Sequence, residues 1–550
     1  MEKTTMRVLV IALDGATFDI LTPWLDQLPT LKKLHDEGAK ASLMTTFPPI
    51  TAAAWNSFAT GKNPAKHGIF EFLQRREGSY DVETMTANHR KARTLWRILS
   101  DAGKNVIVVN VPVTYPPEPV NGSLVAGMPV PANRRDFAHP PELTQEIMQW
   151  FPDYSINATS VYIRGRAEDF LNDIRRELNQ RLTVAERLMQ RQDWDFAMIH
   201  ILGTDRIQHE FWHCMDESHP KHTGEAPRYK NAILEYYQEI DRNLHRLLDL
   251  TDEKTSVFVI SDHGFGPLHQ FVYLNTWLLA EGFLVLKKNG LTRLKSLAFR
   301  LGFSPTNIYK LVAMLGLGGV RGGMDMGKRQ QLLDMLFLSL RDVDWSKTKA
   351  YARGNFGQIF LNVKGREPEG IVEPGVDYDK TVWEIIKRLP NLKDPQTGQP
   401  LVARAEKRDA LFNGAYLNRA PDIAVFMKEE TYVPLGTADF PANTVAEAAV
   451  GNTGDHRFNG ILVMNGYGIQ QADLGEASLM DVAPTVLHLL GVPVPKDMDG
   501  KVLLSALTPD LHAVQYIDVV DESLPAARSP YSAEEEAEMT QHLADLGYLG

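Results

Sequence analysis

The chain has 550 residues, of which 44% are hydrophobic and 23% charged, a composition typical of a globular protein with a sizeable core. Its formal net charge of -11 argues against a general nucleic-acid-binding surface, because such a surface needs clustered basic residues. The single cysteine, Cys214, excludes an intramolecular disulfide and a zinc site built from several thiolates. Any metal must therefore be held by histidine and carboxylate side chains.

The N-terminal stretch MEKTTMRVLVIALDG passes within a few residues into an apolar run. It has neither the basic start nor the small-residue cleavage site of a secretory signal. No stretch approaches the roughly 18 apolar residues that a membrane-spanning helix needs. We therefore expect a cytoplasmic protein that contacts a membrane at its surface at most, and the pattern predicts no particular oligomeric state.

Short apolar, β-branched runs alternate along the chain with helical patterns. In chain order these runs are RVLVIAL, NVIVVNVPV, FAMIHIL, SVFVISD, DIAVFM and GILVMNG. In the charged segment 167–192, Phe170, Ile174, Leu178 and Leu182 recur at helical spacing, so this helix is expected to pack one face. The alternation predicts an α/β core whose mostly parallel sheet is covered by helices on both faces.

The alternation is interrupted between SVFVISD and DIAVFM by a segment too long for a loop. We interpret residues 266–410 as an inserted cap subdomain. The core is then discontinuous and comprises residues 1–265 and 411–510. Residues 511–550 form a C-terminal tail in which SPYSAEEEAEM predicts a capped acidic helix.

The cap contains a basic amphipathic pattern in LTRLKSLAFRLGFS. Its apolar face comprises Leu291, Leu294, Ala298 and Leu301, and its basic residues are Arg293, Lys295 and Arg300. Amphipathic helices usually turn the apolar face to the protein interior, so we expect this helix to pack within the cap. Docking on an acidic membrane surface is the alternative.

Ionisable residues follow the apolar runs, where open α/β sheets place their ligands. They are Asp14 after RVLVIAL, Asp205 and His209 in TDRIQHEFWH, Asp262 and His263 in SVFVISDHG, and His456 in NTGDHRFNG. Taken singly, such an aspartate is often a helix cap and such a histidine is often a surface residue. Together they exceed what one catalytic zinc needs and suit two divalent ions, with zinc favoured and manganese or iron admissible.

Thr51 opens the apolar stretch TAAAW directly after FPPI, at a predicted helix start. A threonine there is often a plain N-cap. Beside a two-metal site, however, its hydroxyl becomes a candidate nucleophile, because a cation and a helix N-terminus both favour the alkoxide. The metal motifs make the second interpretation the stronger one.

The ordered set formed by Asp14, PPITAAAWNSFATGKNPAKHGIF, TDRIQHEFW, ISDHG and GDHR resembles the alkaline phosphatase superfamily. Within it, the chain is most similar to the type I phosphodiesterase and nucleotide pyrophosphatase branch. The resemblance runs from residue 7 to about residue 505 and is weak over 266–410. It implies a three-layer α/β sandwich with an inserted cap.

The resemblance also implies the roles of the site residues. One metal would be held by Asp205, His209 and His456, and the other by Asp14, Asp262, His263 and the hydroxyl of Thr51. Thr51 would carry a covalent phosphothreonine intermediate. His67 and Gly68 match a turn of the family that we interpret as structural.

One departure concerns the substrate. Nucleotide pyrophosphatases place an asparagine shortly after the HGI motif to hold a phosphoryl oxygen, whereas this chain has Phe72 there. A backbone N–H near Thr51 or a cap residue then takes that role, or the substrate is not a nucleotide diester. Sulfatases are disfavoured, because their modified Cys or Ser with a following Arg is replaced by Thr51 and AAAW.

The sequence therefore predicts a dimetal phosphohydrolase, foremost a phosphodiesterase, whose partner is a phosphate ester. Alternatives are a phosphomonoesterase or phosphotransferase, including one acting on a lipid-linked phosphate, and a non-catalytic metal-stabilised membrane-docking protein. Substrate contacts are not predicted. Tyr351, Arg353 and Asn355 in KAYARGNFG precede an apparent strand and either reach the site or form a turn.

Overall fold

The structure is a computed structural model that describes residues 6–156, 160, 162–163, 165–308, 335–519 and 529–546. Two predicted segments extend beyond these residues. Positions 309–334 of the cap, and positions 520–528 and 547–550 of the tail, lie outside the described residues.

Strands and helices alternate through most of the chain. The strands are β1 (Arg7–Leu13), β2 (Ala39–Met44), β3 (Leu73–Arg75), β4 (Val82–Thr84), β5 (Val106–Val109), β6 (Gly122–Val125), β7 (Ala138–His139), β8 (Phe196–Ile201), β9 (Thr255–Ile260), β10 (Gly264–Pro267), β11 (Gln270–Tyr273), β12 (Ala350–Ala352), β13 (Gly354–Asn355), β14 (Gln358–Leu361), β15 (Val402–Lys407), β16 (Ile423–Met427), β17 (Tyr432–Gly436), β18 (Ala446–Ala448), β19 (Gly454–Arg457), β20 (Asn459–Gly466), β21 (Ala472–Ser478), β22 (Val494–Pro495) and β23 (Tyr516–Ile517). The α-helices are α1 (Phe18–Trp24), α2 (Pro29–Glu37), α3 (Thr51–Thr60), α4 (Pro64–His67), α5 (Leu95–Asp101), α6 (Glu142–Trp150), α7 (Ala167–Arg191), α8 (Gly203–Met215), α9 (Ala232–Leu248), α10 (Leu274–Ala280), α11 (Gly290–Arg300), α12 (Val376–Arg388), α13 (Arg408–Leu411), α14 (Val482–Leu489) and α15 (Ala533–Asp545).

A nine-stranded sheet forms the centre of the molecule, in the order β21-β2-β20-β9-β1-β8-β5-β6-β7. The five neighbours β9, β1, β8, β5 and β6 run parallel, whereas β20 is antiparallel to β9 and β2. The prediction of a mostly parallel central sheet is confirmed.

Both faces of this sheet are covered by helices. Along β1, Leu9 and Ile11 belong to one apolar cluster, whereas Val8 and Val10 belong to another. The first cluster contains the predicted face of α7 with α8 and α9, and the second contains α3, α5 and α14. Because successive strand residues point to opposite faces, the sheet separates two cores and the fold is a three-layer sandwich.

The run DIAVFM was predicted to belong to the central sheet, and this is wrong. It forms β16, which lies in a separate four-stranded sheet of the order β12-β14-β16-β15. A second sheet, β13-β17-β11-β18, also contains strands from both sides of residue 410. The predicted boundary at 410 therefore separates strands that pair with one another, since β15 and β16 are antiparallel neighbours.

The apolar face of α11 was expected to pack within the cap, and this is also wrong. Leu291, Leu294 and Leu301 are 59%, 65% and 81% exposed. The helix is held instead through its opposite side, where Lys295 Nζ lies 3.0 Å from Asp342 Oδ2 and Phe299 is buried. Its leucines face solvent among the described residues.

The tail contains the predicted capped helix, α15. Ser532 and Glu535 form a reciprocal capping box at its start, and acidic residues fill its first turn. Arg134 Nε donates to Glu535 at 2.7 Å, which fastens the helix to the core. No helix in the described part of the chain combines the length and the apolarity that crossing a bilayer requires.

Candidate metal centre

Three predicted ligand segments meet because their strands are neighbours in the sheet. Strand β1 lies between β8 and β9, with Leu13 opposite Ile201 and Ala12 opposite Ile260. All three strands are parallel, so their carboxyl ends reach the same edge. Asp14 follows β1, Asp262 follows β9, and α8 begins directly after β8 and carries Asp205 and His209.

The fourth segment arrives through a small antiparallel ladder. Strand β10 pairs with β19, which places Phe265 opposite His456. As a result the rings of His263 and His456 stack, with their centroids 3.7 Å apart and their planes at 21°. The ladder therefore brings a histidine from residue 456 to the ends of β1, β8 and β9.

The three imidazoles present the same nitrogen to the centre. Each Nδ1 lies close to a backbone carbonyl oxygen. The distance is 2.9 Å from His209 to Gly454, 3.0 Å from His263 to Gly264 and 2.8 Å from His456 to Pro49. Because a carbonyl only accepts, each Nδ1 carries the proton and donates it. When all three imidazoles are neutral, their Nε2 atoms carry the lone pairs that bind metals.

The first group of ligand atoms surrounds Asp205. Its Oδ1 lies 3.1 Å from His456 Nε2 and 3.4 Å from His209 Nε2. The two Nε2 atoms are themselves 3.1 Å apart. Asp455, which sequence reasoning missed, also offers an oxygen within 4.8 Å of ligand atoms of the two histidines.

The second group surrounds His263. Its Nε2 lies 3.3 Å from Asp262 Oδ2, 3.5 Å from Asp14 Oδ1 and 3.3 Å from Thr51 Oγ1. Asp14 Oδ1 and Asp262 Oδ2 are both buried and receive no hydrogen bond from the described residues. The structure thus brings all seven predicted site residues together in two adjoining groups.

The electrostatics of these groups fit bound cations. Asp14 and Asp262 are fully buried and Asp205 is 1% exposed. Burial, and after it the negative charge of Asp14, raise the pKa of Asp262 well above its usual value. Burial and the neighbouring His456 lower the pKa of His263 to about 3, so this imidazole is neutral. Buried carboxylates of this kind need a cation or an ion pair, and hard oxygen and imidazole donors suit divalent metals.

Thr51 is the first residue of α3, and Ile50 is the N-cap without a side-chain hydrogen bond. The plain N-cap alternative for Thr51 is therefore not observed. All ten residues of α3 are buried, including Thr51. The small residues Ala52 to Ala54 let the helix start lie directly against the ligand groups.

His200 and Trp55 were not predicted as site residues. His200 Nε2 lies 2.7 Å from Asp14 Oδ2, and Trp55 Nε1 donates to the same oxygen at 3.1 Å. Since both bonds occupy Oδ2, they hold the carboxylate with Oδ1 turned to the second group. The feature of the sequence that could have identified His200 is its position inside the otherwise apolar run FAMIHIL.

The residues near the family turn have mainly structural contacts. His67 Nε2 lies 2.9 Å from Ser57 Oγ, and Gly68 ends α4 with a φ of 82°. Phe72 is fully buried in an apolar cluster with Ile50 and Ala52. Its ring therefore lies near the start of α3 and offers no donor there.

The segment KAYARGNFG contacts the metal centre through Phe356, whereas the sequence pointed to Tyr351, Arg353 and Asn355. Phe356 stacks on the ring of His456, with centroids 5.3 Å apart at 15°. Tyr351 is buried, and Arg353 donates to the carbonyl of Tyr80 at 2.5 Å. Gln358 Nε2 donates to the backbone carbonyl of Asn355 at 3.0 Å.

The family of the chain follows from a family model. The model described as type I phosphodiesterase/nucleotide pyrophosphatase matches residues 8–443, well over half of the 550 residues. The chain belongs to the type I phosphodiesterase/nucleotide pyrophosphatase family. No curated protein matches this sequence closely enough to count as a relative.

Three solved structures match this chain along most of its length. Wild-type alkaline phosphatase PafA matches with a TM-score of 0.51 and 13% identity, over 92% of this chain and 99% of that one. Phosphonoacetate hydrolase from Sinorhizobium meliloti 1021 matches with a TM-score of 0.49 and 15% identity, over 89% and 96%. Murine ectonucleotide pyrophosphatase/phosphodiesterase 5 matches with a TM-score of 0.48 and 11% identity, over 91% and 100%. The first of these supports an alkaline-phosphatase-like fold.

Metal binding is expected to release protons. Burial opposes charge on His209, but the Asp205 carboxylate outweighs it and raises the pKa of His209 to about 9. His209 is therefore protonated at pH 7.5 before a metal binds and must lose that proton to coordinate. Calorimetric titration of zinc in buffers of different ionisation enthalpy should show release of at least about one proton at pH 7.5 and less at pH 10. Binding without proton release at pH 7.5 would contradict this charge state.

Removing the support of Asp14 is expected to weaken metal binding. His200→Ala leaves Asp14 Oδ2 with Trp55 alone, and loss of such a supporting contact typically costs about 10- to 100-fold in metal affinity. Competition with a chromogenic chelator measures the change. His245→Ala on the exposed side of α9 is the matched control and should bind like the wild type. Equal affinities for both variants would show that His200 does not position the ligand.

Proposed function

We propose that this protein is a metal-dependent phosphodiesterase in which Thr51 is the nucleophile. The observation that carries the proposal is the position of Thr51 Oγ1, 3.3 Å from His263 Nε2 at the start of a fully buried helix. The same nitrogen faces the two carboxylate oxygens that receive no hydrogen bond from the described residues. A hydroxyl beside a nitrogen of this ligand group supports the proposed role, because a cation bound there would favour the alkoxide.

Two metals fit the two groups of ligand atoms. Asp205, His209 and His456 would hold one ion, and Asp14, Asp262, His263 and Thr51 the other. Two bound divalent ions would lower the pKa of the Thr51 hydroxyl and offset the charge that develops on the phosphoryl oxygens. Imidazole and carboxylate donors without thiolate favour zinc, with manganese and iron admissible.

The proposed reaction has two steps, and the hydroxyl of Thr51 takes part in both. Thr51 Oγ1 attacks phosphorus, a new oxygen–phosphorus bond forms and the bond to one ester alcohol breaks, which leaves a phosphothreonine that still carries the other ester group. The hydroxyl proton of Thr51 leaves with the departing alcohol or to solvent. Attack by water then breaks the Thr51 bond to phosphorus, regenerates the hydroxyl and releases a phosphate monoester.

The start of α3 offers a replacement for the amide that Phe72 lacks. The first N–H groups of a helix have no intrahelical acceptor and carry positive partial charge, which suits phosphoryl oxygens. In α3 these are the N–H groups of Thr51, Ala52 and Ala53. We assign them to the nonbridging oxygens of the bound phosphate.

Thr51→Ala is expected to reduce turnover of bis(p-nitrophenyl) phosphate by about 10³-fold or more, because the attacking oxygen is lost. Thr51→Ser keeps a hydroxyl and should retain measurable turnover. Metal content is measured for each preparation, so that loss of the ion is separated from loss of the nucleophile. Full activity of Thr51→Ala with bound metal would exclude this mechanism.

The same preparations distinguish the alternatives. Comparison of bis(p-nitrophenyl) phosphate with p-nitrophenyl phosphate shows whether diesters or monoesters are preferred. A higher kcat/KM for the monoester would support a phosphomonoesterase or phosphotransferase. Absence of turnover for both, with metal bound, would favour the non-catalytic alternative.

A further inference from the structure

A cavity of about 580 Å³ lies between the segment around β3 and β4 and the sheet that contains β12 and β14. Its lining comes from residues 70–91, 351–366 and 418–419. None of the seven predicted site residues lines it. The volume is within the range of about 300 to 1,000 Å³ that is usual for small-molecule sites.

Basic residues outnumber acidic ones around this cavity. The lining cations are Arg75, Lys91, Arg353, Arg366 and Arg419, and the lining carboxyl groups are Glu71, Glu77 and Glu83. Three of these cations already have a carboxylate partner: Arg366 Nη2 lies 2.6 Å from Asp422, Arg75 Nη2 lies 3.6 Å from Glu367 and Arg419 Nη2 lies 4.0 Å from Glu77. Within the described ranges, neither Lys91 nor Arg353 has a carboxylate oxygen within 4.0 Å. The positive charge that nearby carboxylates leave uncompensated is therefore that of Lys91 and Arg353.

Two buried polar groups in the lining have no hydrogen-bond partner. Tyr351 is 1% exposed, and its hydroxyl receives and donates no hydrogen bond among the described residues. The Nη1 of Arg75 is buried and unpartnered in the same way. Because buried polar groups in folded proteins almost always have partners, these two point to a bound polar molecule.

The walls between the polar groups are aromatic. Phe70, Tyr351 and Phe360 line the cavity, and the rings of Tyr351 and Phe360 stack at 5.7 Å. Apolar walls with a few charged groups are typical of sites for small organic molecules.

We propose that this cavity binds a small organic molecule that bears a phosphate or carboxylate group. Arg75, Lys91, Arg353 and Arg419 recognise the anion, and the hydroxyl of Tyr351 donates to it. The segment 354–358 links the cavity to the metal centre, because Gln358 donates to Glu71 in the lining while Phe356 stacks on His456. None of the residues that bind the anion in this proposal is one of the proposed metal ligands or Thr51.

Inorganic phosphate is the probe for this site, titrated calorimetrically into the zinc-loaded full-length protein. The wild type is expected to bind a second equivalent beyond the one at the metal centre. Lys91→Gln combined with Arg419→Gln should abolish the second equivalent and leave the first. Tyr351→Phe removes only the unpartnered hydroxyl, so the fold is kept and the second affinity should fall by at least about fivefold. Lys380→Gln, an exposed residue of α12, is the matched control.

A single equivalent in the wild type would overturn the proposal, as would a second equivalent unchanged by all three cavity substitutions. Equal loss in Lys380→Gln would show nonspecific attraction and would also overturn it. Steady-state KM values then show whether the anion belongs to the substrate or to a separate ligand. If it is part of the substrate, the double variant raises KM for a diester with a second anionic group but not for bis(p-nitrophenyl) phosphate. If it is a separate ligand, both KM values are unchanged.

A second inference rests on the exposed face of α11. Besides Leu291, Leu294 and Leu301, Leu297 is 57% exposed. Lys287, Lys288, Arg293 and Arg300 are exposed beside these leucines. The sequence has no acidic residue from position 282 to position 308, although the whole chain has a net charge of -11. Apolar and basic side chains are thus concentrated on one surface.

We infer that this α11 surface docks on an anionic lipid bilayer. An interfacial helix buries leucines at the boundary of headgroups and acyl chains, while its basic residues contact the anionic headgroups. The buried contact between Lys295 and Asp342 keeps the helix fixed with its leucines outward. This surface would hold the protein at membranes through an interfacial helix.

Vesicle sedimentation of the full-length protein tests this docking. Binding is expected to vesicles of phosphatidylcholine mixed with phosphatidylglycerol, to weaken as salt is raised, and to be absent with phosphatidylcholine alone. Leu294→Ser with Leu301→Ser should abolish binding, and Arg293→Glu with Arg300→Glu should do the same. Val376→Ser, which removes an 87% exposed apolar residue of α12, is the control and should bind like the wild type.

Binding that both double variants retain would overturn the inference, as would absence of binding by the wild type. A wild-type dimer that the leucine substitutions convert to a monomer, without vesicle binding, would assign the surface to a second copy of the chain instead. Thr51-dependent activity is measured in a separate assay. Failure of the docking inference can therefore be distinguished from failure of the proposed catalytic function.

Discussion

The concentration of negative charge at one edge of the central sheet is the constraint on which the rest of the site depends. Asp14, Asp205 and Asp262 follow three adjacent parallel strands and are almost completely removed from water. In an apolar interior such a cluster is unfavourable unless cations compensate it. The surrounding contacts are consistent with that need: backbone carbonyls fix three imidazoles with Nε2 inward, and His200 and Trp55 occupy the outer oxygen of Asp14. The layers of helices on both faces keep the strand ends, and hence the charges, in a fixed relative position.

A segment that the sequence predicts to belong to a cap also contacts this centre. Phe356 lies in this segment, 354–358. It has a left-handed φ of 62° and stacks on His456. A non-glycine residue in that region is conformationally costly, so the surrounding packing must hold it there. The same segment reaches the basic cavity through Gln358. One short stretch of chain therefore contacts both a residue of the cavity lining and the ring of His456.

Much of the centre could be predicted from sequence because its signals are local. An aspartate directly after a buried apolar run marks a strand end, and the Asp205 and His209 spacing places both on one helix face. His200 could not be found in this way, since its role depends on Asp14, 186 positions away. The run DIAVFM has the composition of a buried strand, but composition does not specify the sheet in which a strand pairs. Likewise, the amphipathic pattern of α11 identifies an apolar face without indicating whether anything covers it.

The complete burial of α3 has a consequence for how this scaffold diversifies. Thr51 is anchored by the hydrophobic core itself, since the residues that follow it pack beneath the sheet beside Trp55 and Phe58. A substitution that moved Thr51 would also disturb the packing of α3, so a catalytic role of Thr51 would place selection for stability and selection for chemistry on the same positions. New specificities are then most accessible through the surface elements that approach Thr51 from outside. We therefore expect sequence differences among members of the family to be few at the start of α3 and more frequent in the segments around it.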